Sequence, residues 1–185
     1  VTAALTANYG KLNMAQCPVT GLAKTWSSDN YITDSGASGT ALATGHKTYN
    51  SAIGVDSLGN PVKSILEICE AHGMASGLIS TSSITHATPA AFISHQKNRS
   101  MYEAIAADFL NTEIDLFIGG GYEYFTKRKD NRDLTKILSG KGYHIVRDLS
   151  GLKNTPEKSF VAGLLGEKHL PKYSEGRDKM LPQSV

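Results

Sequence analysis

"IDLFIGGG", residues 114–121, is a short apolar run that ends in three consecutive glycines. Its brevity and its glycine boundary make it a strand running into a tight turn. Outward from it the pattern repeats. "ASGLIST" (75–81), "YHIV" (143–146) and "SFVAGLLG" (159–166) are further short apolar runs. Between them lie the helical patterns "SMYEAIAADFL" (100–110) and "DLTKILSGKG" (133–142), the second with a glycine stop. Alternation of this kind predicts parallel βαβ units, hence an α/β fold of three layers with helices on both faces of a mainly parallel sheet. Residues 1–185 read as one part of a single such domain, with no internal boundary and with the fold incomplete.

The first half is less regular. "VTAALTANYG" (1–10) predicts a helix closed by Gly10, and "KTWSSDNYI" (24–32) is rich in β-formers. "NPVKSILEICEAHG" (60–73) predicts a helix capped by Asn60, with Pro61 at its first position and Gly73 as its stop. "TDSGASGTALATG" (33–45) consists almost wholly of small residues around one acid, Asp34, which directly precedes Ser35. A helix starting near Ser35, capped by Asp34 or Thr33, suits it. Small side chains there permit close approach of another element or of a ligand.

Composition sets bounds. The 185 residues are 40% hydrophobic with a net charge of +2, which argues against a dedicated nucleic-acid partner. The densest charged run, "TKRKDNRD" (126–133), mixes signs and reads as a solvated loop. Cys17 and Cys69 make no disulfide framework. No apolar run reaches the ~18 residues of a membrane-crossing helix. The abrupt ends, Val1 in helix-like sequence and Val185 after "LPQS", suggest a piece of a longer protein.

Ligands of open α/β sheets bind beyond the carboxyl ends of the strands. The residues to inspect are therefore those after each apolar run: Thr33-Asp34-Ser35, "SSITHATPAAF" (82–92) and Gly119 to Gly121, with Arg99 before the next helix. Ser35 at a helix start would sit among unpaired N–H groups that favour an anion, although Asp-Ser there also fits a plain cap. His86 and Thr88 in "THATP", two apart, would share one side of an extended segment and could meet one cation. Arg99 in "SHQKNRSMY" could grip a phosphate with its fork of donors. His95 nearby reads as structural, and Gly119, Gly120 and Gly121 fit a tight turn as well as a ligand cradle. The spacing and lysine of a P-loop are absent.

Taken together, "YITDSGASGTALATGHKTYNSAIGV" (31–55), "THATPAAFISHQKNR" (85–99), "DLFIGGGYEYF" (115–125) and, more distantly, "GLLGEKHLPKY" (163–173) resemble segments of the alkaline phosphatases. The resemblance implies phosphate monoester hydrolysis through a phosphoserine intermediate. Ser35 falls on the nucleophile and a metal-ligating position, Asp34 on the residue that orients the arginine, and Arg99 on the phosphate-binding arginine. His86 and Thr88 fall on the third metal site. The implied cofactors are two Zn²⁺ ions and one Mg²⁺; a histidine at 86 also admits Zn²⁺ or Co²⁺ there. The implied partners are small-molecule phosphate monoesters, with no membrane span and a homodimer left open, and the implied location is periplasmic or secreted. The family's remaining metal ligands lie before the segment resembling residues 1–10 and beyond that resembling "LPQSV". The 185 residues alone are therefore expected to be inactive. A phosphodiesterase, sulfatase or phosphomutase of the same superfamily, or a non-catalytic interaction module, are the competing readings.

Overall fold

The computed structural model describes residues 1–157, 159–177 and 180–185. Its helices are α1 (Thr2–Ala7), α2 (Ser35–Thr44), α3 (Ile65–Ala71), α4 (Ala87–Ala90), α5 (Tyr102–Asp108), α6 (Tyr122–Thr126), α7 (Leu134–Gly140), α8 (Leu149–Lys153) and α9 (Met180–Ser184). The strands are β1 (Gly77–Ser83), β2 (Leu116–Gly120), β3 (Tyr143–Val146) and β4 (Phe160–Gly166). They form one sheet in the order β1-β2-β4-β3, and every neighbouring pair is parallel. All four lie where the apolar runs predict them.

Consecutive residues of the two central strands are buried: Phe117 and Ile118 in β2, and Val161 to Leu164 in β4. Successive side chains of a strand point to opposite faces, so both faces of the sheet are covered. Phe109, Phe117 and Phe125 pack ring against ring at the centre, joined by Ile105, Leu134, Leu138 and Leu164 in one cluster. Tyr143 closes it on the β3 side. Its hydroxyl donates to the Ile114 carbonyl at 2.6 Å, and burial pushes its pKa up to about 12.

Four local expectations need correction. Residues 24–32 form irregular backbone with bends rather than a strand. Its last residue is satisfied by side chains instead of a neighbouring strand: Asn30 accepts from the Ile32 N–H at 2.8 Å, and Asn50 donates to the Ile32 carbonyl at 2.9 Å. Helix α3 begins at Ile65, not Pro61, because Ser64 and Glu67 make a capping box that outcompetes Asn60. Asn60 is held by Asp56, and Pro61 bridges to Val55. Its outer residues Ile65 and Ile68 are exposed, leaving Leu66 as the buried contact. The charged run 126–133 is not all solvated. The side chain of Arg128 is 5% exposed and is paired with Asp130 and the carbonyls of Glu103 and Tyr124. Finally, residues 87–90 are a helical turn, so His86 and Thr88 do not share one side of an extended segment.

Both cysteines are free thiols, and no helix among the described residues is long and apolar enough to cross a membrane.

Candidate active site

Helix α2 presents its N-terminus to the site. Asp34 is the cap: Oδ1 accepts from the Ala37 N–H at 2.9 Å. Ser35 is the first helical residue. Neither its own N–H nor that of Gly36 has a partner among the described residues. The run of small residues explains how the helix sits. A Cβ on Gly36 would lie 2.8 Å from the Ala52 carbonyl oxygen, and one on Gly39 would lie 3.2 Å from Ala91 Cβ. The helix therefore packs directly on the 51–52 backbone and on α4.

Arg99 comes from far along the chain, carried by an antiparallel bridge between Ile53 and Gln96. Ser51 completes the link. Its carbonyl accepts from the Arg99 N–H at 2.7 Å, and its own N–H donates to Asp34 Oδ2 at 3.1 Å. Ser51 does this at a φ of 75°, a left-handed conformation uncommon for serine.

The guanidinium then spans three partners. Nη1 donates to Asp34 Oδ2 at 3.1 Å and to Ser35 Oγ at 2.7 Å, while Nη2 donates to His86 Nε2 at 3.2 Å. Partial burial opposes the charge of Asp34. The N–H groups of Ala37 and Ser51 and the Arg99 guanidinium outweigh it and hold the carboxyl below its usual range. For His86, burial, the Arg99 charge and His169 all act in one direction and lower its pKa. The imidazole is thus neutral, with the Nε2 lone pair facing Arg99.

Of the predicted site residues, Asp34, Ser35, Arg99 and His86 converge. Thr88 lies exposed in α4, and its hydroxyl makes no hydrogen bond among the described residues. His95 is structural, as predicted, held between Gly54 and Glu67. The glycines 119–121 serve packing. A Cβ on Gly120 would lie 1.9 Å from the Lys168 carbonyl oxygen, and one on Gly121 would lie 2.3 Å from Ser83 Oγ. One neighbour of the site was missed in the sequence: His169, whose ring stands edge-on to His86 with centroids 5.4 Å apart. The signal was available, since His169 follows β4 closely, as His86 follows β1.

The donors do not make a complete metal centre. Among the described residues no group of three or more His, Cys, Asp or Glu side chains could hold an ion, and His86 Nε2 is engaged by Arg99. What the arrangement offers is an anion cradle: a hydroxyl, two unpaired N–H groups and a guanidinium with donors to spare.

Comparisons with known proteins bear on the family and the fold. The alkaline phosphatase family profile matches residues 3–184. Alkaline phosphatase 4 of Bacillus subtilis is 43% identical over 96% of the chain, and the Escherichia coli K12 enzyme is 33% identical over 74%. The structure of alkaline phosphatase from the Antarctic bacterium TAB5 superposes with a TM-score of 0.94 at 38% identity, over 99% of the chain. A variant of that enzyme with aspartate in place of a histidine, and Mg bound in its M3 site, superposes with a TM-score of 0.90. The chain spans 39% of the Bacillus protein, 34% of the Escherichia protein and 54% of the TAB5 chain. By profile, identity and fold, the chain belongs to the alkaline phosphatase family.

Proposed function

We propose that this chain supplies the nucleophile and the phosphate-binding arginine of a phosphate monoester hydrolase. The observation that carries the reading is Arg99 Nη1 at 2.7 Å from Ser35 Oγ, at a helix start with unpaired N–H groups. A phosphoryl group seated there would meet donors on one side and the serine oxygen on the other. Ser35 Oγ forms the bond to phosphorus as the bond to the ester oxygen breaks. The serine proton is lost, and the leaving oxygen gains one. The product is phosphoserine plus an alcohol. Water then cleaves phosphoserine and releases inorganic phosphate. Arg99 offsets the charge of the transferring group through both steps. Asp34 aims the arginine.

Metal dependence comes with the family. We assign two Zn²⁺ ions and a third-site Mg²⁺, Zn²⁺ or Co²⁺ to the enzyme. Ser35, His86 and Thr88 contribute to those sites, and the remaining ligands come from outside the described residues. Export to the periplasm or medium, and pairing of two copies, are carried by the resemblance; cell fractionation and light scattering test them.

The test is Ser35→Ala in the full-length protein with an aryl phosphate, a phosphodiester and a sulfate ester as substrates. Monoester turnover should predominate in the wild type and fall mainly in kcat in the variant. Phosphate label trapped by acid quench should map to Ser35. Label on Ser38, or equal turnover of the sulfate ester, would refute the assignment.

A further inference from the structure

The segment after β4 is pinned against the carboxyl end of β2. The Gly166 carbonyl accepts from the Gly121 N–H at 2.9 Å, and the Glu167 carbonyl accepts from the Glu123 N–H at 3.1 Å. Gly120 leaves no side chain under the Lys168 carbonyl, so the backbone there lies flush on the glycine turn. This delivers His169 to the end of β1. Its Nδ1 accepts from the Ser83 N–H at 3.0 Å, which places the ring hydrogen on Nε2. Ser83 in turn accepts at its carbonyl from the His86 N–H at 3.0 Å, and its hydroxyl is paired with Thr85 at 2.7 Å. The same His169 ring stands at 70° against the edge of His86. One exposed side chain thus touches both ends of the turn from which His86 meets Arg99.

We propose that His169 is a positioning residue for phosphate binding. It clamps the Ser83–His86 turn from the β4 side and so sets where His86 Nε2 receives the Arg99 guanidinium. The inference rests on Ser35 and Arg99 forming a phosphate site. An exposed ring contributes little to the core, so a role in the fold alone would leave its removal nearly silent. A role in positioning predicts a ligand effect without a stability effect.

The experiment measures inorganic phosphate binding by calorimetry, and thermal unfolding, for the full-length protein and its His169→Ala, His169→Asn and Arg99→Lys variants. An asparagine oxygen can accept from the Ser83 N–H near the place of Nδ1. His169→Ala should weaken phosphate binding by roughly five- to ten-fold, the loss of about one hydrogen bond, with the unfolding midpoint unchanged. His169→Asn should recover most of that affinity. Wild-type affinity in His169→Ala, a His169→Asn no better than alanine, or an affinity loss that tracks a lower midpoint each overturn the proposal. If Arg99→Lys binds phosphate like the wild type, the phosphate site itself is wrong. If Arg99→Lys is weakened and His169→Ala is not, only the role of His169 fails.

Discussion

His95 lies between two acceptors: its Nδ1 is 2.6 Å from the Gly54 carbonyl oxygen and its Nε2 is 3.0 Å from Glu67 Oε1. Both nitrogens must donate, so the ring is an imidazolium. Burial works against that charge. The Gly54 carbonyl, Glu67 and Asp108 overcome it and raise the pKa above its ordinary 6.5. The protonated ring therefore stabilises the fold fully below about 6.5, and that contribution is lost as pH rises through the folded value. For Glu67, burial is likewise outweighed, by the Ser64 N–H and by His95, and its pKa falls below 4.5. Its contribution is present above 4.5 and disappears as pH falls through the folded value.

The pair should accordingly stabilise most between about 4.5 and 6.5. Urea unfolding of the wild type and His95→Gln across pH 5 to 9 checks this. The gap between the two should shrink as pH rises beyond neutrality. A gap independent of pH would mean that His95 is neutral in the fold.

Arg99→Lys should not be a mild change. A lysine cannot reach Asp34, Ser35 and His86 at once from one planar group. Loss of charge-assisted bonds should weaken inorganic phosphate binding by roughly ten-fold or more and slow turnover. An unchanged phosphate inhibition constant would remove Arg99 from the site.

Gly36→Ala tests the close packing of α2. The added carbon would lie 2.8 Å from a backbone oxygen, which cannot swing aside. A destabilisation of about 1–3 kcal/mol is expected. Gly140→Ala, where a Cβ meets nothing within 4 Å, is the control and should be neutral or slightly stabilising. Equal effects in chemical denaturation would show that the helix start has room to move.

The 185 residues by themselves should hydrolyse aryl phosphates negligibly. A catalytic zinc needs about three protein ligands, and the described residues assemble no such group. Helix dipole and guanidinium together supply only a few kcal/mol against the ~8–23 kcal/mol of enzymatic acceleration. Zinc titration of the purified chain gives the answer. Zinc-dependent turnover abolished by Ser35→Ala would show that ligands assemble from other side chains of the chain or between copies.

Much of this was legible in order along the chain. Short apolar runs located all four strands, because a strand buried on both faces leaves a local signature. The Asp34-Ser35 start of α2 was legible for the same reason: a cap and a small-residue face are local chemistry. Helix α3 shows the limit of such reading. Two caps competed within five residues, and the reciprocal pair Ser64 and Glu67 prevailed over Asn60.

What local pattern does not carry is adjacency. Arg99 is 65 residues from Asp34, and only the bridge of residue 53 to residue 96 makes them neighbours. His169 is 86 residues from Ser83, and it reaches the site because β4 pairs with β2 instead of extending the sheet beyond β3. Strand order is set by which pairing buries the most surface on both faces. That choice depends on the whole core at once. Composition and periodicity determined the elements and their chemistry, and tertiary packing alone determined which side chains meet at the end of β1.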